Sequence, residues 1–264
     1  MLRTRILTAI VLIPLVIGAL ALGGPLFFVA IGAVLTLGVW EFSTLMGRGG
    51  HASWLPAAVA LVWVILLDTQ LPSHELITPG LVGILLVSLL WAMRRFGQDD
   101  PNPVSGWALT IVGGLYLGWM GSHFVRLREL EDGLWWSLTV YGSTWLADSG
   151  AYFVGRTWGR HKLAPRLSPG KTWEGSVGGL VVGTVSTALL AALFGVGVWH
   201  GVVLGLLVAV ISPVGDLGIS MVKRQVGAKD SSGLIPGHGG VLDKIDTLLV
   251  SVAIATYYVI WVAS

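Results

Sequence analysis

The chain has 264 residues, of which 54% are hydrophobic and only 11% charged, and its mean hydropathy is +0.80. A soluble domain carries about 25% charged residues, so too few polar side chains are present to coat a water-facing globule. A soluble enzyme, a disordered chain and a nucleic-acid-binding module are thereby excluded. The formal net charge of +2 implies no acidic partner, and the absence of cysteine removes disulfides, thiolate zinc sites and cysteine nucleophiles.

Apolar runs long enough, or nearly so, to cross about 30 Å of hydrocarbon as helix recur along the sequence. In chain order they are Ile6–Leu22, Leu26–Met46, Trp54–Leu67, Ile77–Met93, Val104–Ser122, Leu134–Gly155, Gly175–Val198, Gly201–Val222 and Thr247–Val262. The third and ninth are the shortest. The first follows Arg3 and Arg5 and ends in Ala-Leu-Gly-Gly, in the outline of a cleavable signal peptide. Its apolar stretch is long and Pro14 interrupts it, so a retained helix is expected. The fold class is therefore an all-α polytopic membrane protein of about nine transmembrane helices. The expected organisation is five scaffold spans over residues 1–133 and a catalytic membrane region over 134–264, with four spans and two cytoplasmic loops.

Orientation follows from the basic residues, which collect on the cytoplasmic side. With the N-terminus in the cytoplasm and sides alternating, the cytoplasmic segments hold 14 of the 16 Lys and Arg, leaving only Arg126 and Arg128 outside. The C-terminus then lies outside, and a bacterial-type cytoplasmic membrane is the expected location. Tryptophans such as Trp54, Trp91, Trp158, Trp173 and Trp199 fall near span ends, where indoles gather at headgroups. Gly175, Gly179 and Gly183 form a small-residue stripe that lets helices approach closely. Such stripes suit a homodimer and intramolecular packing equally well.

Charge is concentrated. Two windows, Trp145–Gly175 and Ser212–Asp246, make up a quarter of the chain and carry half of its charged residues. Both face the cytoplasm in this topology. Asp148 lies roughly 12 Å, and Asp216 about 10 Å, inside the helix ends marked by Arg156 and Lys223. An intramembrane carboxylate costs on the order of 3 kcal/mol, so such residues tend to face a cavity and have a task. Asp216 and Ser220, with Lys223 or Arg224, follow helical spacing and form one polar stripe. Asp243 and Asp246 sit at i, i+3 behind Gly239 and Gly240, whose backbone freedom permits a tight turn beside a ligand.

Carboxylates without cysteine suit a hard cation such as Mg²⁺ rather than zinc. Basic residues among them suit a phosphate chelated to that metal. The segment Arg166–Thr172 superficially suggests a phosphate-binding P-loop, but position 165 is proline where that pattern needs glycine. A loop presenting Ser168, Lys171 and Thr172 to phosphate is expected instead. Arg160 and His161 read as headgroup-facing groups. Glu41, roughly 9 Å inside the second run, either joins the site or makes a structural contact.

The run from Ser220 through Lys223, Arg224, Lys229, Asp230, Pro236, His238, Gly239, Gly240, Asp243 and Lys244 to Asp246 resembles the signature of phosphatidate cytidylyltransferases (CDP-diacylglycerol synthases). Asp148-Ser-Gly-Ala-Tyr and the segment Leu163–Gly175 resemble the same family's other motifs, so the resemblance covers roughly Gly142–Ser264. At position 244 this chain has lysine where the family pattern has arginine, which keeps the charge but loses bidentate phosphate geometry.

The resemblance implies transfer of a cytidylyl group from CTP to phosphatidic acid, a membrane lipid, with Mg²⁺ and at the cytoplasmic face. It implies metal binding by Asp216, Asp243 and Asp246, and a further role near substrate for Asp148. It implies phosphate neutralisation by Lys171, Lys223, Arg224 and Lys229, and orientation by Ser168, Ser220 and His238. Thr172, Gly239, Gly240 and Lys244 would line the substrates. Asp230 binds metal or holds Lys229, and a second cation besides Mg²⁺ is left open. Alternatives are a cytidylyltransferase acting on another lipid phosphate, or an ion-coupled transporter using Asp148 and Asp216.

Overall fold

The structure is a computed structural model describing residues 2–263, with the side chains of residues 2–7, 9 and 72 outside the description. Among the described residues there are nine α-helices and one two-stranded hairpin. In chain order they are α1 (Leu2–Leu22), α2 (Gly24–Arg48), α3 (Leu55–Gln70), α4 (Ile77–Phe96), α5 (Pro103–Glu129), α6 (Gly133–Trp158), β1 (Lys162–Ala164), β2 (Ser168–Thr172), α7 (Trp173–Phe194), α8 (Val198–Gln225) and α9 (Leu242–Tyr258). Every apolar run of the sequence is thus a helix. Six of them (α2, α4, α5, α7, α8, and α9 with its terminal π turn) are long and apolar enough to cross a membrane. Within α1 the apolar stretch is Ile10–Leu22, and α3 is likewise shorter. The chain is a multi-pass, all-α membrane protein.

Three details differ from expectation. Pro14 lies within α1 without ending it, since membrane helices tolerate proline where neighbours satisfy the freed backbone groups. The described side chains do not include Arg3 and Arg5. The break between the seventh and eighth helices falls at Gly195 and Gly197, whose φ of +77° and +97° only glycine adopts easily. Finally, α9 begins at Leu242, five residues before the apolar run, for a reason that lies in the site.

The helices form two compact units interleaved along the chain. The first comprises Met1–Leu15, Gly24–Val125 and Lys223–Lys244. Its core holds the fully buried Leu35, Leu45, Leu61, Leu66 and Leu117. Small residues set its helix spacing: Gly114 of α5 lies against the Ala58 carbonyl and Leu61 of α3, and Gly118 against Val62 and Ile65. Trp107 on α5 donates its indole N–H to the buried Ser88 on α4 at 3.0 Å, giving both a partner.

The second unit comprises Val16–Gly23, Arg126–Val222 and Ile245–Ser264. Helices α6 and α7 pack along the predicted glycine stripe. A Cβ at Gly175 would lie 2.7 Å from the Ala151 carbonyl, and one at Gly179 would lie 3.0 Å from the Ala147 carbonyl. Thr187 donates to Ser143 across the same contact at 2.5 Å. On the other side Gly201 and Gly205 of α8 meet Thr184, Thr187 and Ala188 of α7.

Candidate active site

The expected phosphate-facing loop of the second unit is a β-hairpin. Strands β1 and β2 run antiparallel, pairing Lys162 with Thr172 and Ala164 with Ser168. Glu174, in the first turn of α7, anchors the approach to it: its carboxylate accepts the backbone N–H of Arg160 at 3.1 Å and lies 2.6 Å from the His161 ring nitrogen Nδ1. Arg160 and His161 are exposed, with His161 turned to solvent. Thr172 is buried, and its hydroxyl accepts the Gly175 N–H at 3.1 Å, capping α7. Its side chain is thus committed to the helix end rather than turned outward.

One residue before that cap, Lys171 reaches α8. Its Nζ lies 2.6 Å from Asp216 Oδ2, and Ser220 donates to the other oxygen, Oδ1, at 3.2 Å. The polar stripe expected on α8 therefore exists, with the hairpin lysine added to it. The side chains of Lys171 and Asp216 are 25% and 29% exposed, so water still reaches them. Ser168 is half-buried at the start of β2, and Asp148 is exposed on α6. Asp246 is buried in α9 and its Oδ1 accepts the N–H of Thr247 at 2.8 Å.

In the first unit the end of α8, residues 226–241 and the start of α9 make a tighter cluster. Lys223 Nζ lies 2.6 Å from Asp243 Oδ1, and both side chains are only 10% exposed. Asp243 Oδ2 accepts the Gly240 N–H at 2.9 Å, and the N–H and the hydroxyl of Ser231, both at 2.8 Å. Gly239 adopts φ +83°, and a Cβ there would lie 2.6 Å from Asp243 Oδ2. This accounts for the glycine pair. His238 is half-buried in the preceding turn, its N–H donating to the Ile235 carbonyl at 3.0 Å. Arg224 is exposed and bonds the Ala228 carbonyl at 3.0 Å; Lys229, Asp230 and Lys244 are exposed.

Glu41 also belongs here. Fully buried on α2, it accepts the hydroxyls of Ser231 and Ser232 and the N–H groups of Val241 and Leu242. Those two N–H groups are orphan donors at the start of α9. A carboxylate 200 positions away in sequence caps that helix, which is why α9 begins before the apolar run does. Ser231 and Ser232 are the residues that sequence reasoning missed. Both lie inside the matched motif, but nothing in their spacing signals a partner on α2.

Comparison with known proteins places this geometry. The cytidylyltransferase family matches over residues 3–262. A phosphatidate cytidylyltransferase of Pseudomonas aeruginosa is 38% identical, with 96% of this chain and 95% of that protein covered. Proteins of the same name from Haemophilus influenzae and Brucella abortus are 34% and 37% identical, covering 99% and 96% of this chain and 100% and 91% of their own lengths. The chain belongs to the cytidylyltransferase family. The family match takes in the N-terminal helices as well as the motif-bearing Gly142–Ser264, and so includes α2 with Glu41.

The donor set decides how a divalent cation could be held. Within neither unit do three His, Asp or Glu side chains form a group of metal-binding size, among the described residues. An ionised carboxylate offers about four acceptor sites. Asp243 holds Lys223 on Oδ1 and the N–H groups of Ser231 and Gly240 on Oδ2, whereas Asp216 has two donors, Lys171 and Ser220. Mg²⁺ characteristically takes one or two carboxylates together with substrate phosphates and waters. The residues fit a metal that arrives on a polyphosphate, not a preformed all-protein cage.

Proposed function

We propose that this chain transfers the cytidylyl group of CTP to phosphatidic acid, forming CDP-diacylglycerol and pyrophosphate. An oxygen of the lipid phosphate attacks the α-phosphorus of CTP. One P–O bond forms there as the bond to the β-phosphate bridge breaks, and pyrophosphate leaves with that electron pair. A phosphomonoester with a second pKa of about 6 is already largely ionised near neutrality, so no general base is called for. The task is to neutralise and align two anions.

The observation that carries this reading is the pair of lysine–aspartate contacts, Lys171–Asp216 and Lys223–Asp243, lying in the two charge-bearing windows of a family member. Before substrate arrives, each ammonium is held in place by a carboxylate. Phosphate oxygens then compete for Lys171 and Lys223, with Arg224 and Lys229 adding exposed positive charge. Ser168, Ser220 and His238 orient the phosphates. Asp216, whose carboxylate keeps acceptor sites beyond Lys171 and Ser220, would be offered to Mg²⁺ arriving on the triphosphate, and the metal would offset the triphosphate's charge. The expected distribution of 14 of 16 cations supports a reaction on the cytoplasmic face, and the bacterial relatives support a bacterial cytoplasmic membrane.

The test is direct. Purified protein in mixed micelles with CTP, phosphatidate and Mg²⁺ should yield CDP-lipid and pyrophosphate in equal amounts. No product with any lipid phosphate would sink the proposal.

A further inference from the structure

The fully buried Glu41 takes no part in the reaction as drawn, yet it has one of the densest sets of contacts in the first unit. Its Oε1 accepts Ser232 Oγ at 2.5 Å and Val241 N at 2.9 Å, and its Oε2 accepts Ser231 Oγ at 2.9 Å and Leu242 N at 2.7 Å. The Ser231 hydroxyl also lies 2.8 Å from Asp243 Oδ2, so its single proton is shared between the two carboxylates. A continuous chain therefore runs from Glu41 through Ser231 and Asp243 to Lys223. There is no slack beside it. A Cβ at Gly240 would collide with Ser231 Oγ and with both Glu41 oxygens.

We propose that Glu41 is a positioning residue for the cytidylyl transfer: its carboxylate fixes residues 231 to 243 so that Asp243 presents Lys223 in one place. This rests on the proposed reaction, and it goes beyond it by assigning a role to a helix outside the motif region. The chemistry requires a carboxylate. Each oxygen faces one hydroxyl and one backbone N–H. A hydroxyl can rotate and accept, but a backbone N–H can only donate. In Glu41→Gln, whichever site receives the amide nitrogen sets an NH₂ donor against the N–H of Val241 or Leu242. One helix-capping bond is therefore lost with the shape of the side chain preserved.

The experiment compares full-length wild type, E41Q, S232A, K223M and the E41Q/K223M double variant, using CTP turnover on phosphatidate micelles and amide hydrogen exchange. E41Q should lower kcat/KM for CTP by about tenfold or more, the scale of one lost buried hydrogen bond, and speed exchange at residues 240–242 while α5 stays protected. S232A, which removes one partner and keeps the carboxylate, should fall between E41Q and wild type, and it serves if E41Q does not fold. Because Glu41 acts through Lys223, adding E41Q to K223M should cost less than about twofold more. Full multiplication of the two losses would assign Glu41 to general packing and overturn the proposal, as would unchanged exchange at 240–242. A wild type that makes no CDP-lipid overturns the reaction alone, since exchange still decides whether the clamp exists.

Discussion

Lys223→Met tests whether the Lys223–Asp243 pair is formed and desolvated. Methionine keeps the length of the stem, so cavity formation contributes little. What changes is the environment of Asp243 Oδ1, which loses the donor at 2.6 Å in a site where both side chains are 10% exposed. Removing one partner of a fully buried pair costs about 3–5 kcal/mol. Here the two backbone N–H donors on Oδ2, from Ser231 and Gly240, still hold the remaining charge, so the loss approaches that of a charged hydrogen bond, about 1.5–3 kcal/mol. We expect a destabilisation of about 2–3 kcal/mol. The assay is reversible denaturant unfolding in detergent, run as a double-mutant cycle with Asp243→Asn. The coupling should be of the same order, roughly 1.5–3 kcal/mol. K223M as stable as wild type, or a coupling below about 0.5 kcal/mol, would refute the buried ion pair.

Two further outcomes follow from the second unit. Lys171→Met removes a pair that water reaches, so unfolding should shift by no more than about 1 kcal/mol while CTP turnover falls by about 100-fold; a loss confined to stability would remove Lys171 from the reaction. Gly179→Val forces a branched side chain against the Ala147 carbonyl and Ala151, where even a Cβ would lie at 3.0 Å. It should cost about 1–3 kcal/mol, read by the same unfolding, and a neutral result would contradict the close α6–α7 contact.

The helices were legible because a membrane leaves few choices: an apolar run of sufficient length has only one economical way to satisfy its backbone. Even α6, which carries Asp148, was readable from its flanking apolar residues. The glycine stripe on α7 was legible for a similar reason, since close approach leaves a periodic mark. The hairpin at Lys162–Thr172 was not. Its strands are three and five residues long and the segment contains Pro165 and Pro169, which argue against strand. The candidate aspartates and lysines were visible as scarce charges, but their pairing was not. Whether Lys171 meets Asp216 depends on how the hairpin lies against α8, a tertiary fact with no local signature. Glu41 showed as an expensive intramembrane carboxylate, and its partners were hidden by the 190 residues separating them in sequence.

That separation has a consequence for biogenesis. Translation proceeds at about 5–20 residues per second, so Ser231, 190 residues downstream of Glu41, emerges roughly 10–40 seconds after it. Throughout that interval α2 holds an acidic side chain whose hydrogen-bond donors have not yet been synthesised. The nascent N-terminal helices are consequently poor candidates for early, irreversible compaction around that position. Assembly of the first unit must wait for the ribosome to finish most of the second.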